Sequence, residues 1–134
     1  MRRIVAIVLA LLALVSLFLI VRAADAGQLP DFITQLYNFE NGDKVGHFLL
    51  MGSVAFLVTL AMPKSWRLRG LILLAGLITL EEFSQLIFKT RTFDLLDLAC
   101  SLAGVTVFGT LSVLLNQALD KKLEGNANGN QSKR

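Results

Sequence analysis

Ile4–Val21 is a run of 18 residues in which only Ser16 is polar. A helix of that length rises about 27 Å, close to the ~30 Å hydrocarbon thickness of a bilayer. Three further apolar runs follow at about 45–62, 70–88 and 95–115, joined by short connectors. In lipid every backbone polar group must be satisfied within its own segment, so such runs are constrained to be helices. One of them could be the buried helix of a soluble protein. Four in a chain of 134 residues, 54% of them hydrophobic, leave too little polar surface for a soluble fold. The expectation is an all-α, polytopic membrane protein: a four-transmembrane-helix bundle forming one domain over residues 1–120. The remainder, 121–134, is rich in Gly, Asn, Gln and Ser with basic ends, and reads as a disordered cytoplasmic tail.

Lys and Arg orient the bundle. With the N-terminus inside, the inner segments hold nine of them (Arg2, Arg3, Lys64, Arg67, Arg69, Lys121, Lys122, Lys133, Arg134). The outer segments hold four: Arg22, Lys44, Lys89 and Arg91. The positive-inside rule then places both termini in the cytoplasm. Trp66 beside Pro63 suits the inner interface. The net charge of +3 follows from these flanks rather than from a basic-aromatic patch, so no nucleic acid is expected as a partner. Arg2-Arg3, the first apolar run and Ala24-Asp25-Ala26 together have the look of a signal peptide. The run is longer than the 7–15 or so residues of a signal core, which favours an uncleaved span. Between the first two runs, Leu29, Phe32, Ile33, Leu36 and Tyr37 recur at helical spacing. Pro30 suits a helix start and Asn41-Gly42 a stop, predicting a short amphipathic helix over Pro30–Phe39 at the outer interface. Asp43 is then placed to cap the second span.

Three polar stretches interrupt the apolar background: Asp43-Lys44-Val45-Gly46-His47-Phe48, Glu81-Glu82-Phe83-Ser84-Gln85, and Arg91-Thr92-Phe93-Asp94-Leu95-Leu96-Asp97. The topology brings them to one depth. The second span enters from outside, so His47 lies about one turn below the outer surface. The third exits outside, with Glu82 roughly 9 Å below its end, and Asp97 lies just inside the fourth. Asp94, Asp97, Ser101 and Gly104 step by three or four residues along one helix face. Ionisable groups are costly in lipid, so the cluster is a candidate site. Its expected members are Asp43, Lys44, His47, Glu82, Gln85, Arg91, Asp94, Asp97 and Ser101. Five acids, counting Glu81, face Lys44, Arg91 and a single histidine. That imbalance predicts that one acid, with Glu82 the candidate, keeps its proton or that the cluster meets water or a cation. One histidine and one cysteine, Cys100, give no zinc site and no internal disulfide. No cofactor or metal is expected.

The residues Asp43, Lys44, His47 and Phe48 (D-K-x-x-H-F), Glu82 and Gln85 (E-x-x-Q), and Arg91, Asp94 and Asp97 (R-x-x-D-x-x-D) occur in order at the ends of successive spans. In this the chain resembles the VanZ-like family of bacterial integral membrane proteins, over about residues 43–109. Ser101 stands where that family usually has Asn, and Gly104 is kept. The resemblance implies a bacterial cytoplasmic (inner) membrane protein of the cell envelope, with an accessory role in glycopeptide resistance. The leading expectation is an outer-leaflet site for a headgroup or amphiphile such as a lipid-linked wall precursor. Lys44 and Arg91 would meet its phosphate or carboxylate, and Glu82 and Asp97 its donors. The alternatives are a structural polar lock between helices, an intramembrane acid-base enzyme using His47 with Glu82 or Asp97, and a proton-coupled transporter relaying protons through the carboxylates. No nucleophile motif or phosphate loop favours catalysis. Membrane lipids are expected partners, and glycines in the spans permit a homo-oligomer.

Overall fold

The structure is a computed structural model that describes residues 2–36, 38–87 and 92–131, with side chains over 4–35, 38–87 and 92–122. It is built of helices: α1 (Arg2–Asp25), α2 (Asp31–Leu36), α3 (Gly42–Ala61), α4 (Arg67–Ser84) and α5 (Leu95–Gln131). A single 3-10 turn, Lys64–Trp66, leads into α4.

Three helices are long and apolar enough to cross a membrane: α1 over Ile4–Asp25, α3, and α5 over Leu95–Lys122. The outer surface of the bundle, α4 included, is greasy. Leu12, Phe18, Leu68, Ile72, Leu80 and Leu86 are all more than half exposed. The interior, by contrast, holds Thr59, Glu82, Gln85, Ser101, Ser112 and Asn116. Apolar outside and partly polar inside is the arrangement lipid favours and water does not. The chain is a multi-pass membrane protein. α4 is 18 residues long and carries Arg67 and Arg69 in its first turn and Glu81 and Glu82 in its last.

α3 is the hub. It packs along the length of α5 and against α1, while α4 lies on α5 and α3. Contacts between α3 and α5 rise together in number: His47 with Ser101, Phe56 with Ser112, Thr59 with Asn116. The two helices are therefore parallel, and α4 returns the chain antiparallel to both. Glycines set the closeness of this seam. A side chain at Gly104 would run into the carbonyl oxygen of Phe48, and one at Gly52 would come within 2.7 Å of the Phe108 ring. The core clusters Met51, Val54 and Ala55 with Leu74, Ile78 and Val105, and α1 adds Ala13 and Leu17.

Several boundaries differ from the sequence expectation. The interfacial helix is shorter, Asp31–Leu36, and Tyr37 lies outside the described residues. Asn41-Gly42 does not stop it; Asn41, at φ 59°, opens α3 instead. That left-handed turn lets α3 begin at Gly42, so Asp43 falls inside the first turn and the cap position goes to Asn41, whose side chain makes no cap hydrogen bond. α5 continues to Gln131, into the stretch whose composition suggests disorder. Extending a helix already nucleated costs little per residue, and Lys121, Lys122, Leu123 and Glu124 are good helix formers.

Candidate functional site

The first turns of α3 and α5 and the last turn of α4 meet at one end of the bundle. α3 supplies Lys44 and His47 one turn apart, so both face α5. Lys44 Nζ lies 2.9 Å from Asp43 Oδ2, 3.0 Å from Asp94 Oδ2 and 3.3 Å from Asp97 Oδ1. An ammonium has three donors, and these three carboxylates engage them all. Before any ligand arrives, Lys44 is thus already paired within the chain. The same three carboxylates present oxygens within 4.8 Å of one another, a spacing a metal ion could use, and the Lys44 ammonium lies among them.

Asp94 also starts α5. Its Oδ1 accepts the amide of Leu96 at 2.8 Å, and its carbonyl accepts the amides of Asp97 and Leu98. The Leu96 amide, followed by Lys44, holds the Asp94 carboxyl below the usual carboxylate range.

His47 reaches across the seam. Its Nδ1 is 3.0 Å from Ser101 Oγ, and its Nε2 is 3.8 Å from Asp97 Oδ2. A neutral ring can accept from the Ser101 hydroxyl at Nδ1 and point Nε2–H toward Asp97. Ser101 is fully buried, with its hydroxyl against the imidazole across the α3–α5 seam. Here the serine orients the imidazole.

Glu82 is 1% exposed. Gln85 Nε2 donates to its Oε2 at 3.0 Å and reaches Glu81 Oε1 at 3.5 Å. Glu82 Oε1 has no partner among the described residues, although His47 and Asp97 are both within electrostatic reach. Of the nine residues expected from sequence, eight thus gather at this end, and Arg91 lies outside the described residues.

A cavity of about 350 Å³ opens beside the cluster, between α1, α2 and α3. Leu17, Ile20 and Val21 of α1, Ile33 of α2, and Leu50 and Met51 of α3 make its apolar wall. Asp43, His47, Glu81 and Thr34 add the polar groups. Glu81 was outside the expected site because its helical neighbour Glu82 took that place; adjacent residues on a helix face different ways, and here one faces the seam and the other the cavity.

A second polar group, not foreseen, lies at the opposite end, where the sequence suggested apolar helix halves. Ser112 Oγ donates to the Phe56 carbonyl at 2.9 Å, and Asn116 Nδ2 to the Thr59 carbonyl at 3.4 Å. Arg67 is buried, with Nε toward the Met62 carbonyl at 3.3 Å and Nη2 toward Asp120 at 3.4 Å. Ser112, Asn116 and Asp120 recur every fourth residue, which was the available signal.

No family model matches this chain, and neither a curated protein nor a solved structure is significantly similar to it.

Proposed function

We propose that the chain is a VanZ-like protein of the bacterial cytoplasmic membrane whose outward polar cluster and adjoining cavity bind an amphiphile, in an accessory role in glycopeptide resistance. α4 acts as a fourth span, both termini are cytoplasmic, and the cluster lies in the outer leaflet. Support for α4 as a span comes from its course: it leaves the level of Met62 and Asp120 and returns to the level of His47 and Asp97. Its charges lie in its end turns, where the bilayer is least hostile to them.

The observation that carries the binding reading is the cavity. It has an apolar wall, a few convergent polar groups at one side, and a volume within the range of about 300–1,000 Å³ common for small-molecule sites. A tail along Leu17, Ile20 and Leu50 would set a head against His47, Asp43 and Glu81. Native mass spectrometry of the protein released from bacterial membranes tests this. A discrete amphiphile adduct is expected on the wild type and lost when the wall is filled by Leu50→Trp or, independently, by Ile33→Trp. Equal adducts on all three proteins would refute the reading.

The structural lock is the second reading, favoured by the three-way engagement of Lys44. It predicts that Lys44→Met lowers thermal stability and that the wild type carries no discrete adduct.

A further inference from the structure

The end of the bundle away from the acidic cluster carries the opposite charge. We propose that its surface at the start of α4 holds the headgroup of an anionic phospholipid, the phosphate against Lys64 and Arg69 and an acyl chain along Leu68 and Ile72. The site is independent of the cavity at the other end.

α3 ends at Ala61, and Lys64, Arg67 and Arg69 follow directly. The apolar part of α5 ends at Lys122, and Arg67 Nη2 lies 3.4 Å from Asp120 Oδ2, so Lys121 and Lys122 stand at the same level. That level is the edge of the spans, where the headgroups of a bilayer lie. Among the residues with described side chains, Asp120 is the one acid at this end, and Arg67 already holds it. Lys64, Arg69, Lys121 and Lys122 are exposed and make no ion pair among those residues. Counting Glu124 from the sequence still leaves five bases against two acids.

The start of α4 adds to that excess. Its first turn holds two arginines and no acid, at the positive end of the helix dipole, and no side chain caps its amides. Arg67 is buried there, and its Nη1 has no partner among the described residues. A helix start of this composition repels its own arginines, and an anion beside it relieves the repulsion.

Two features select a lipid over a soluble anion. The Arg69 guanidinium lies over the Trp66 ring, 5.6 Å from its centroid, so an aromatic side chain suited to the headgroup level holds a forked donor at the surface. Beside it, Leu68 and Ile72, one turn apart, are 71% and 63% exposed, and this apolar strip leads from the basic turn into the span. A phospholipid matches both halves, and inorganic phosphate matches only the first. Basic flanks orient a span by charge alone, whereas an arginine held on a ring beside an apolar strip has a geometry that a lysine does not reproduce.

Trp66 is the chain's single tryptophan, so its fluorescence reads this surface alone. The full-length protein is reconstituted in phosphatidylcholine vesicles containing the same small fraction of either brominated phosphatidylglycerol or brominated phosphatidylcholine. Bromine quenching of Trp66 reports which lipid adjoins it. Brominated phosphatidylglycerol is expected to bind at least about fivefold more tightly than brominated phosphatidylcholine. Lys64→Gln with Arg69→Gln, both exposed and clear of the Arg67–Asp120 pair, is expected to erase the preference. Arg69→Lys keeps the charge but loses the fork, and is expected to lower the preference at least about twofold. Equal quenching by the two lipids in the wild type would overturn the proposal. An undiminished preference in Arg69→Lys would reduce the surface to diffuse charge and overturn the site. Loss of the preference when inorganic phosphate replaces chloride at constant ionic strength would give the site to a soluble anion and overturn the lipid.

Discussion

At the scale of single residues, the contrast between two glycines tests the packing. Gly104 faces the Phe48 carbonyl, a backbone atom that cannot swing aside, whereas Gly76 faces open space. Gly104→Ala is expected to destabilise by about 1–3 kcal/mol, the usual cost of overpacking. Gly76→Ala should be neutral or stabilising by up to about 1 kcal/mol, through helix propensity alone. Reversible unfolding of both variants in detergent checks the pair; equal losses would place the close approach elsewhere. Asp94 gives a pH prediction. Its carboxyl is held below its ordinary value of 3.8, so its contribution to stability is full above that pH and is lost as pH falls through its lowered value. The protection of the Leu96 amide, relative to the unstructured rate at the same pH, should hold from neutral pH to about 4. It should fall only in stronger acid, and in Asp94→Ala it should be low throughout.

At the scale of elements, much was legible because lipid imposes a simple rule. Apolar runs long enough to cross the bilayer marked α1, α3 and α5, and the observed helices overlap the expected ones closely. Polar residues at helix ends were readable for the same reason, since each stood out against an apolar background. What sequence left hidden depended on geometry between elements. Nothing in the spacing shows that Lys44 meets three carboxylates at once, because Asp43, Asp94 and Asp97 come from two different helix starts. Nor does it show that Glu81 and Glu82 part company, one to the cavity and one to the seam. The buried Ser112, Thr59 and Asn116 were masked by their apolar neighbours. The parallel α3 and α5 also set an expectation for α4. With Cys100 replaced by Ser, single cysteines at Ser65 and Lys122 should react with an impermeant maleimide from one face of the membrane. Cysteines at Asn38 and Thr92 should react from the other. Labelling at positions 65 and 92 from the same face would remove α4 as a span.

At the scale of the whole molecule, the two ends of the bundle differ in kind. One end ties α3, α4 and α5 with Ser112, Asn116 and the Arg67–Asp120 pair, a tie that needs no ligand. The other gathers more acid than base among the described residues and opens onto a cavity lined from four helices. Interhelical hydrogen bonds in membranes contribute only about 0.6 kcal/mol on average, a small return for burying this many ionisable groups. The proposed amphiphile would occupy that space. The central claim is tested most directly by an experimental structure of the protein in a native-lipid nanodisc, resolved well enough to see side chains around Leu50. The account predicts elongated density between α1 and α3 that ends in a head beside His47, Asp43 and Glu81. A cavity closed by Ile33 of α2 packed directly onto Leu50, with no such density, would contradict it.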